Sequence, residues 1–125
     1  MTNYSIGDFL IRLKNASLAN KHEVEVRKTK LIESVAKTLK KAGYLADYKV
    51  EGEMITLTLA IKSKKPVLMN VKLVSKQGLR IYQNVDQIAA HRGASILIIS
   101  TPKGILTSRD AIKENCGGEV IAEIW

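Results

Sequence analysis

The chain is poor in the residues that carry most protein chemistry: one cysteine, two prolines, one phenylalanine, one tryptophan and two histidines in 125 residues. A single cysteine, Cys116, excludes an internal disulfide framework and a cysteine-based zinc site. Cys116 is either a small packed residue at a strand entrance or a reactive thiol, and no nearby histidine supports a nucleophile. His22 and His91 lie far apart in predicted loops, outside any metal-ligand spacing, and read as solvated side chains. Neither a G-x-G-x-x-G fingerprint nor a G-x-x-x-x-G-K-[ST] phosphate loop is present. The longest apolar stretch, Ile96–Ile99, has the length of a buried strand and not of a membrane span. The opening Met1–Ser5 lacks the charged start and apolar run of a signal peptide. The expectation is a soluble cytoplasmic protein with no catalytic centre, metal or cofactor; an organelle-encoded origin is also compatible.

What the chain does have is positive charge. Lys and Arg number 20 against 12 Asp and Glu, for a net charge of +8. Such an excess with few aromatics suits a polyanion partner, because cations gain affinity by releasing counterions from phosphates; a merely soluble basic protein would look the same. The excess is uneven. Residues 1–70 hold thirteen Lys and Arg against seven acids, and residues 71–125 hold seven against five. The first part is the stronger generic phosphate attractor. A site in the second would have to work through shape and hydrogen bonds.

The hydrophobic periodicity predicts an α/β protein of two small α+β subdomains. Ile6, Phe9, Leu10 and Leu13 share one helical face, with Ser5 and Asp8 as a capping pair. Glu23–Val26 alternates like a strand. A second helix follows with Thr29 as its cap, Leu31, Ile32, Val35, Ala36 and Leu39 inward, and Gly43 at its end. Tyr48–Val50, a turn at Glu51–Glu53 and an alternating run from Ile55 to Ile61 predict a hairpin. The first subdomain, 1–65, thus reads α-β-α-β-β, and Ser63-Lys64-Lys65-Pro66 is the linker candidate. The second, 66–125, is mostly β with one short helix. Val71–Val74 and Leu79–Tyr82 are strand-like and joined across Ser75–Gly78. Asn84–Ala89 has room for one helical turn, and Ile96–Ile99 is a buried strand. A capped helix opens at Thr107 and stops near Gly117-Gly118, and Glu119–Trp125 closes the chain with Val120, Ala122 and Ile124 inward.

One segment is chemically suggestive. Ser100-Thr101-Pro102-Lys103-Gly104 sets two hydroxyls, a lysine and a glycine directly after a buried strand. Hydroxyls can donate to and accept from 2′-hydroxyls, phosphates and base edges, and Lys103 supplies a point charge. Gly104 would let the main chain approach a ligand closely. The same residues also make an ordinary turn, and the physics alone does not separate the two readings. A hydrolase pairing Ser100 with His91 is a remote third reading.

The run from Ile98 to Thr107, followed by Arg109, Ala111 and Gly117-Gly118-Glu119, resembles the C-terminal signature of the ribosomal protein S-eight family of the small subunit. Asp8-Phe9-Leu10, Arg12, Asn15-Ala16, Val24–Val26, Leu39-Lys40, Ala42–Tyr44, Ser75-Lys76 and Gly78–Tyr82 extend the similarity over the whole chain. The resemblance implies two small α/β domains and primary binding to the central domain of small-subunit ribosomal RNA, at an irregular stem with a widened minor groove. It implies a part in assembling the subunit platform, contacts with the fifth and twelfth small-subunit proteins and, in some members, repression of the protein's own operon messenger RNA. Residue by residue, Ser100, Thr101, Pro102, Lys103 and Gly104 match the RNA-contacting loop, Tyr82 an RNA-facing tyrosine, and Glu119 the glutamate after the paired glycines. Glu119 is then either a strand-edge solvent residue or an acceptor that binds exocyclic amines or holds the loop lysine and hydroxyls. Lys28 and Lys30 match a backbone-touching region at the second helix. Two positions depart from the pattern: Pro102 replaces a serine, and Gln77 a frequent proline. Losing the hydroxyl and amide at residue 102 would cost ~0.5–1.5 kcal/mol, partly offset by a stiffer loop.

Overall fold

The computed structural model describes residues 2–76, 78–91 and 93–125, with side chains from Ile6 onward; Gln77 lies outside the described residues. Helix α1 (Thr2–Leu18) buries Ile6, Phe9, Leu10, Leu13 and Ala16, the face its spacing predicts. It begins before Ser5, so the expected cap sits inside the helix; the Ser5 side chain lies outside the described residues. Strand β1 (Glu23–Arg27) leads to helix α2 (Lys30–Ala42). Thr29 accepts the Ile32 amide at 3.0 Å, and the helix ends at Gly43 with φ 94°. Strands β2 (Leu45–Glu51) and β3 (Met54–Leu59) form the expected hairpin, and β1 pairs on the other side of β3. Ile55, Leu57 and Leu59 point into the core under the two helices while their neighbours are half-exposed.

The connection between the halves is a tight hairpin. Strands β4 (Ile61–Lys62) and β5 (Lys65–Pro66) pair across Ser63 and Lys64, whose φ values are 54° and 67°. The second half is a sheet ordered β6-β10-β8-β9, from β6 (Val71–Leu73), β8 (Ile96–Thr101), β9 (Gly104–Thr107) and β10 (Gly118–Ile124). β7 (Tyr82–Gln83) also pairs with β10, on the same edge as β6. The two strand-like runs are therefore pieces of one interrupted edge strand, with an isolated bridge from Lys76 to Leu79 between them. Ser75 fills the interruption. Its hydroxyl accepts the Ile81 amide at 2.9 Å and donates to the Val120 carbonyl at 2.7 Å, replacing ladder bonds that the excursion removes.

Short helices α3 (Val85–Ala89) and α4 (Ser108–Lys113) cover one face of this sheet. α4 opens at Thr107 as the capping pattern predicts, but ends at Glu114, short of the glycine pair. Ile88, Leu97, Ile99, Ala111 and Val120 pack together on that face. On the other, Ile98, Ile105, Ile121, Ala122 and Ile124 join the residues of α1, α2 and β3 in one continuous core. Strand β10 is buried on both faces, and a register shift between Val120 and Ala122 sends those two residues to opposite sides instead of both inward.

Polar contacts tie the halves where the core runs between them. The Thr38 hydroxyl donates to the Ile105 carbonyl at 3.0 Å, the Ser17 hydroxyl to the Leu68 carbonyl, and Lys41 Nζ lies 3.0 Å from Asp110 Oδ2. A shared core predicts a single unfolding transition. The fluorescence of Trp125, in the second half, should change at the same urea concentration as the helical signal dominated by α1 and α2. Ile98→Ala should lower stability by ~2–5 kcal/mol and move both signals together; separate midpoints would show two independent units.

Candidate nucleic-acid interface

Strand pairing assembles the candidate residues from separate parts of the chain. Glu119 of β10 lies directly opposite Tyr82 of β7 on one side and Ser100 of β8 on the other. Ser100 in turn lies opposite Ile105 of β9. Directly opposed residues in antiparallel strands project to the same face, so Tyr82, Glu119, Ser100 and Ile105 form one row across four strands. At ~4.8 Å between strands, Tyr82 and Ser100 are ~10 Å apart. The row runs from open surface to core: Tyr82 is 66% exposed, Ser100 is half-buried, and Ile105 is packed against α2 through the Thr38 bond.

The glycine pair makes this row possible. A Cβ on Gly118 would sit 2.1 Å from the Ser100 carbonyl oxygen, and one on Gly117 would sit 2.6 Å from that of Gln83. Both distances are far inside contact, so any side chain would push β10 away from its neighbours. The glycines thus hold Ser100 and Tyr82 in reach of Glu119.

Next to the row, β8 and β9 turn through Pro102 and Lys103, with Thr101 opposite Gly104. Proline suits the first central position of a turn, so the residue that departs from the family pattern fits the backbone here. Gly104 follows at φ 117°, a conformation that disfavours a side chain. Thr101 is only 9% exposed, and its hydroxyl serves the loop itself. It accepts the Lys103 amide at 3.1 Å and donates to the Gly104 carbonyl at 2.8 Å. Thr101 therefore shapes the loop, while Pro102, Lys103 and Gly104 form its exposed tip.

Glu119 is not a solvent residue. It is 8% exposed, and Arg80 Nη1 lies 3.2 Å from its Oε2. The loop lysine has a different partner: Lys103 Nζ lies 3.4 Å from Glu114 Oε1 and 3.3 Å from the Glu114 carbonyl. Arg80 was not singled out by the sequence, although its position two residues before Tyr82 places it on the same side of an extended chain. Lys28 and Lys30 are elsewhere. They flank the start of α2, where Lys28 Nζ is 3.9 Å from Glu33. Thr38, the contact to β9, lies eight residues beyond Lys30, or ~12 Å along the helix.

Other sequence expectations change with the fold. His91 is half-buried, not solvated: its Nε2 is 3.0 Å from Ser95 Oγ, which donates to Glu123 Oε2 at 2.5 Å. Ser100 faces Glu119 and Ile105 instead, so no Ser100–His91 dyad is assembled. Cys116 is half-buried and its thiol points to the Glu114 carbonyl at 3.4 Å. Behind α4, Tyr44 shares a cleft with Arg109. Burial raises the Tyr44 hydroxyl above the usual tyrosine range, against the opposing pull of the Arg109 charge. Among the described residues no group of three or more His, Cys, Asp or Glu could hold a metal, and no helix is long and apolar enough to cross a membrane.

Fold and surface define a class: a small α/β protein of two main antiparallel sheets joined through a short hairpin, with a polar row and an exposed lysine-tipped turn on the second. Within that class the family is specific. The family model described as ribosomal protein S8 matches residues 4–125, and the chain belongs to that family. It is similar to the small ribosomal subunit protein uS8 of Persephonella marina, 42% identical with 96% of each chain covered. The proteins of the same name from Spiroplasma kunkelii and a Synechococcus strain are 41% and 39% identical, over 97% or more of each chain.

If the glycine pair sets the row, Gly118→Ala should lower unfolding free energy by at least ~2 kcal/mol, at the upper end of ordinary overpacking. Urea denaturation measures this directly. A loss under ~0.5 kcal/mol would mean that β8 and β10 part without cost and that the close approach is incidental.

Proposed function

We propose that the protein is a non-enzymatic, structural component of the cytoplasmic small ribosomal subunit. In this reading it binds the central domain of small-subunit ribosomal RNA at an irregular stem and helps assemble the platform. The observation that carries this reading is the cross-strand row of Tyr82, Glu119 and Ser100 beside the turn of Thr101–Gly104. A row of mixed donors and acceptors beside an exposed lysine suits a widened minor groove, where 2′-hydroxyls and base edges are within reach. A regular A-form major groove is too narrow to read. Family membership and the names of the relatives support the ribosomal assignment.

The two halves take different tasks in this reading. Residues 66–125 select the site through Ser100, Pro102, Lys103, Gly104 and Tyr82, with Thr101 fixing the loop. Residues 1–65 add phosphate contacts through Lys28 and Lys30 and offer surface to neighbouring small-subunit proteins, the fifth and twelfth among them. A similar stem in the operon's own messenger RNA would meet the same surface, and its relative affinity is the measure of any regulatory role.

The test is affinity at physiological salt for a central-domain stem against a regular duplex of equal length. A preference of about a hundredfold, ~3 kcal/mol, is expected. Equal and equally salt-sensitive binding to both would reduce the protein to a generic cation and end this reading. A second expectation separates the halves. Ser100→Ala should cut stem affinity by about threefold to tenfold and leave the salt dependence nearly unchanged. Lys28→Ala with Lys30→Ala should flatten the plot of log affinity against log salt by about one to two units. Equal effects from the two variants would defeat the division.

A further inference from the structure

The ion pair between Glu119 and Arg80 points to a role for both residues that the motif alone does not supply. Resting on the RNA-binding reading above, we infer that Arg80 is itself an RNA-contacting cation and that Glu119 is its positioning residue, acting through the guanidinium instead of touching RNA.

The pair is asymmetric. The Glu119 side chain is 10% exposed and that of Arg80 30%, with 3.2 Å between Oε2 and Nη1. Glu119 lies between Tyr82 and Ser100 in the strand register, and Arg80 is the more exposed partner of the pair. A bare carboxylate in the middle of a surface that receives phosphates would repel them. Covered by Arg80, the same charge does the reverse: it anchors a cation whose planar fork suits phosphate oxygens better than a lysine would. A guanidinium has five N–H donors, and the bond to Oε2 engages one of them. The backbone around Arg80 is held as well. Ser75 Oγ accepts the Ile81 amide at 2.9 Å, and the Ile81 carbonyl accepts the Val120 amide at 2.8 Å. Arg80 therefore enters the row already oriented, one side chain away from the exposed Tyr82 ring. Buried ion pairs are poor sources of net stability, so stability is a weak explanation for this one.

The inference separates contact from positioning by measurement. Stem and duplex affinities over a salt series are compared for the wild type, Arg80→Ala, Arg80→Lys, Glu119→Gln and the double variant Arg80→Ala with Glu119→Gln, each with its thermal unfolding curve. Arg80→Ala should weaken stem binding by about tenfold or more and flatten the salt plot by about one unit. Arg80→Lys keeps the charge and loses the fork, so it should retain the salt slope but bind the stem about threefold to tenfold more weakly. Glu119→Gln should weaken binding in the wild-type background and add little to Arg80→Ala, since it acts through that side chain. Wild-type binding by a folded Arg80→Ala protein overturns the inference. So does an undiminished Glu119→Gln loss in the Arg80→Ala background, which would place Glu119 on the RNA itself. Should Arg80→Ala fail to fold, wild-type stem affinity in Arg80→Lys is the overturning result. Failure of the wild type to prefer the stem is a different outcome and defeats the RNA-binding reading beneath.

Discussion

Two adjacent glycines, Gly117 and Gly118, let three strands come closer than side chains would permit, and the candidate surface exists because of that approach. With Gly118 against the Ser100 carbonyl and Gly117 against Gln83, β10 can hold β8 on one edge and β7 on the other. Glu119, the next residue, is consequently fixed in the middle of the row. The mechanism is steric and local. It needs no flexibility from these glycines, only the lack of a Cβ where backbones meet.

β10 is also the strand on which the second half is organised. It pairs with β6, β7 and β8 and packs on both faces, one toward α3 and α4 and the other into the core shared with α1 and α2. A strand buried on both sides has no solvent face to absorb a change of register, because a one-residue slip exchanges its two faces. The register shift between Val120 and Ala122 is where its two packing environments are reconciled. The row of Tyr82, Glu119 and Ser100 runs from the exposed Tyr82 to Ile105, which packs against α2, so a core sits directly beside it. Support of this kind reduces the ordering cost of binding.

Charge and hydrogen bonding divide along the chain in a related way. Two cations of the site have acidic partners: Lys103 with Glu114 and Arg80 with Glu119. The surface is thus a set of oriented groups and not a field of free lysines. Exposed pairs such as Lys103 with Glu114 contribute little to stability. The pair of Arg80 and Glu119 is better buried.

Much of the fold could be read directly from residue spacing. The apolar faces of α1 and α2, the Thr29 and Thr107 caps, the Gly43 stop and the β2–β3 hairpin all depend on neighbours within a few positions, which periodicity and capping chemistry specify. The loop of Ser100–Gly104 and the glycine pair were visible as motifs. What they do was not. That Ser100, Glu119 and Tyr82 form a row depends on which strands pair and in what register, and those contacts span up to 37 residues of chain between Tyr82 and Glu119. The internal duty of the Thr101 hydroxyl, the partnership of Arg80 with Glu119 and the half-burial of His91 arise only when distant segments meet. Tertiary structure likewise set two strand-like runs along one edge of β10 and joined apolar residues of both halves in one core. Local sequence sets backbone preference and which faces are apolar; which polar groups find each other is decided by how those faces are stacked.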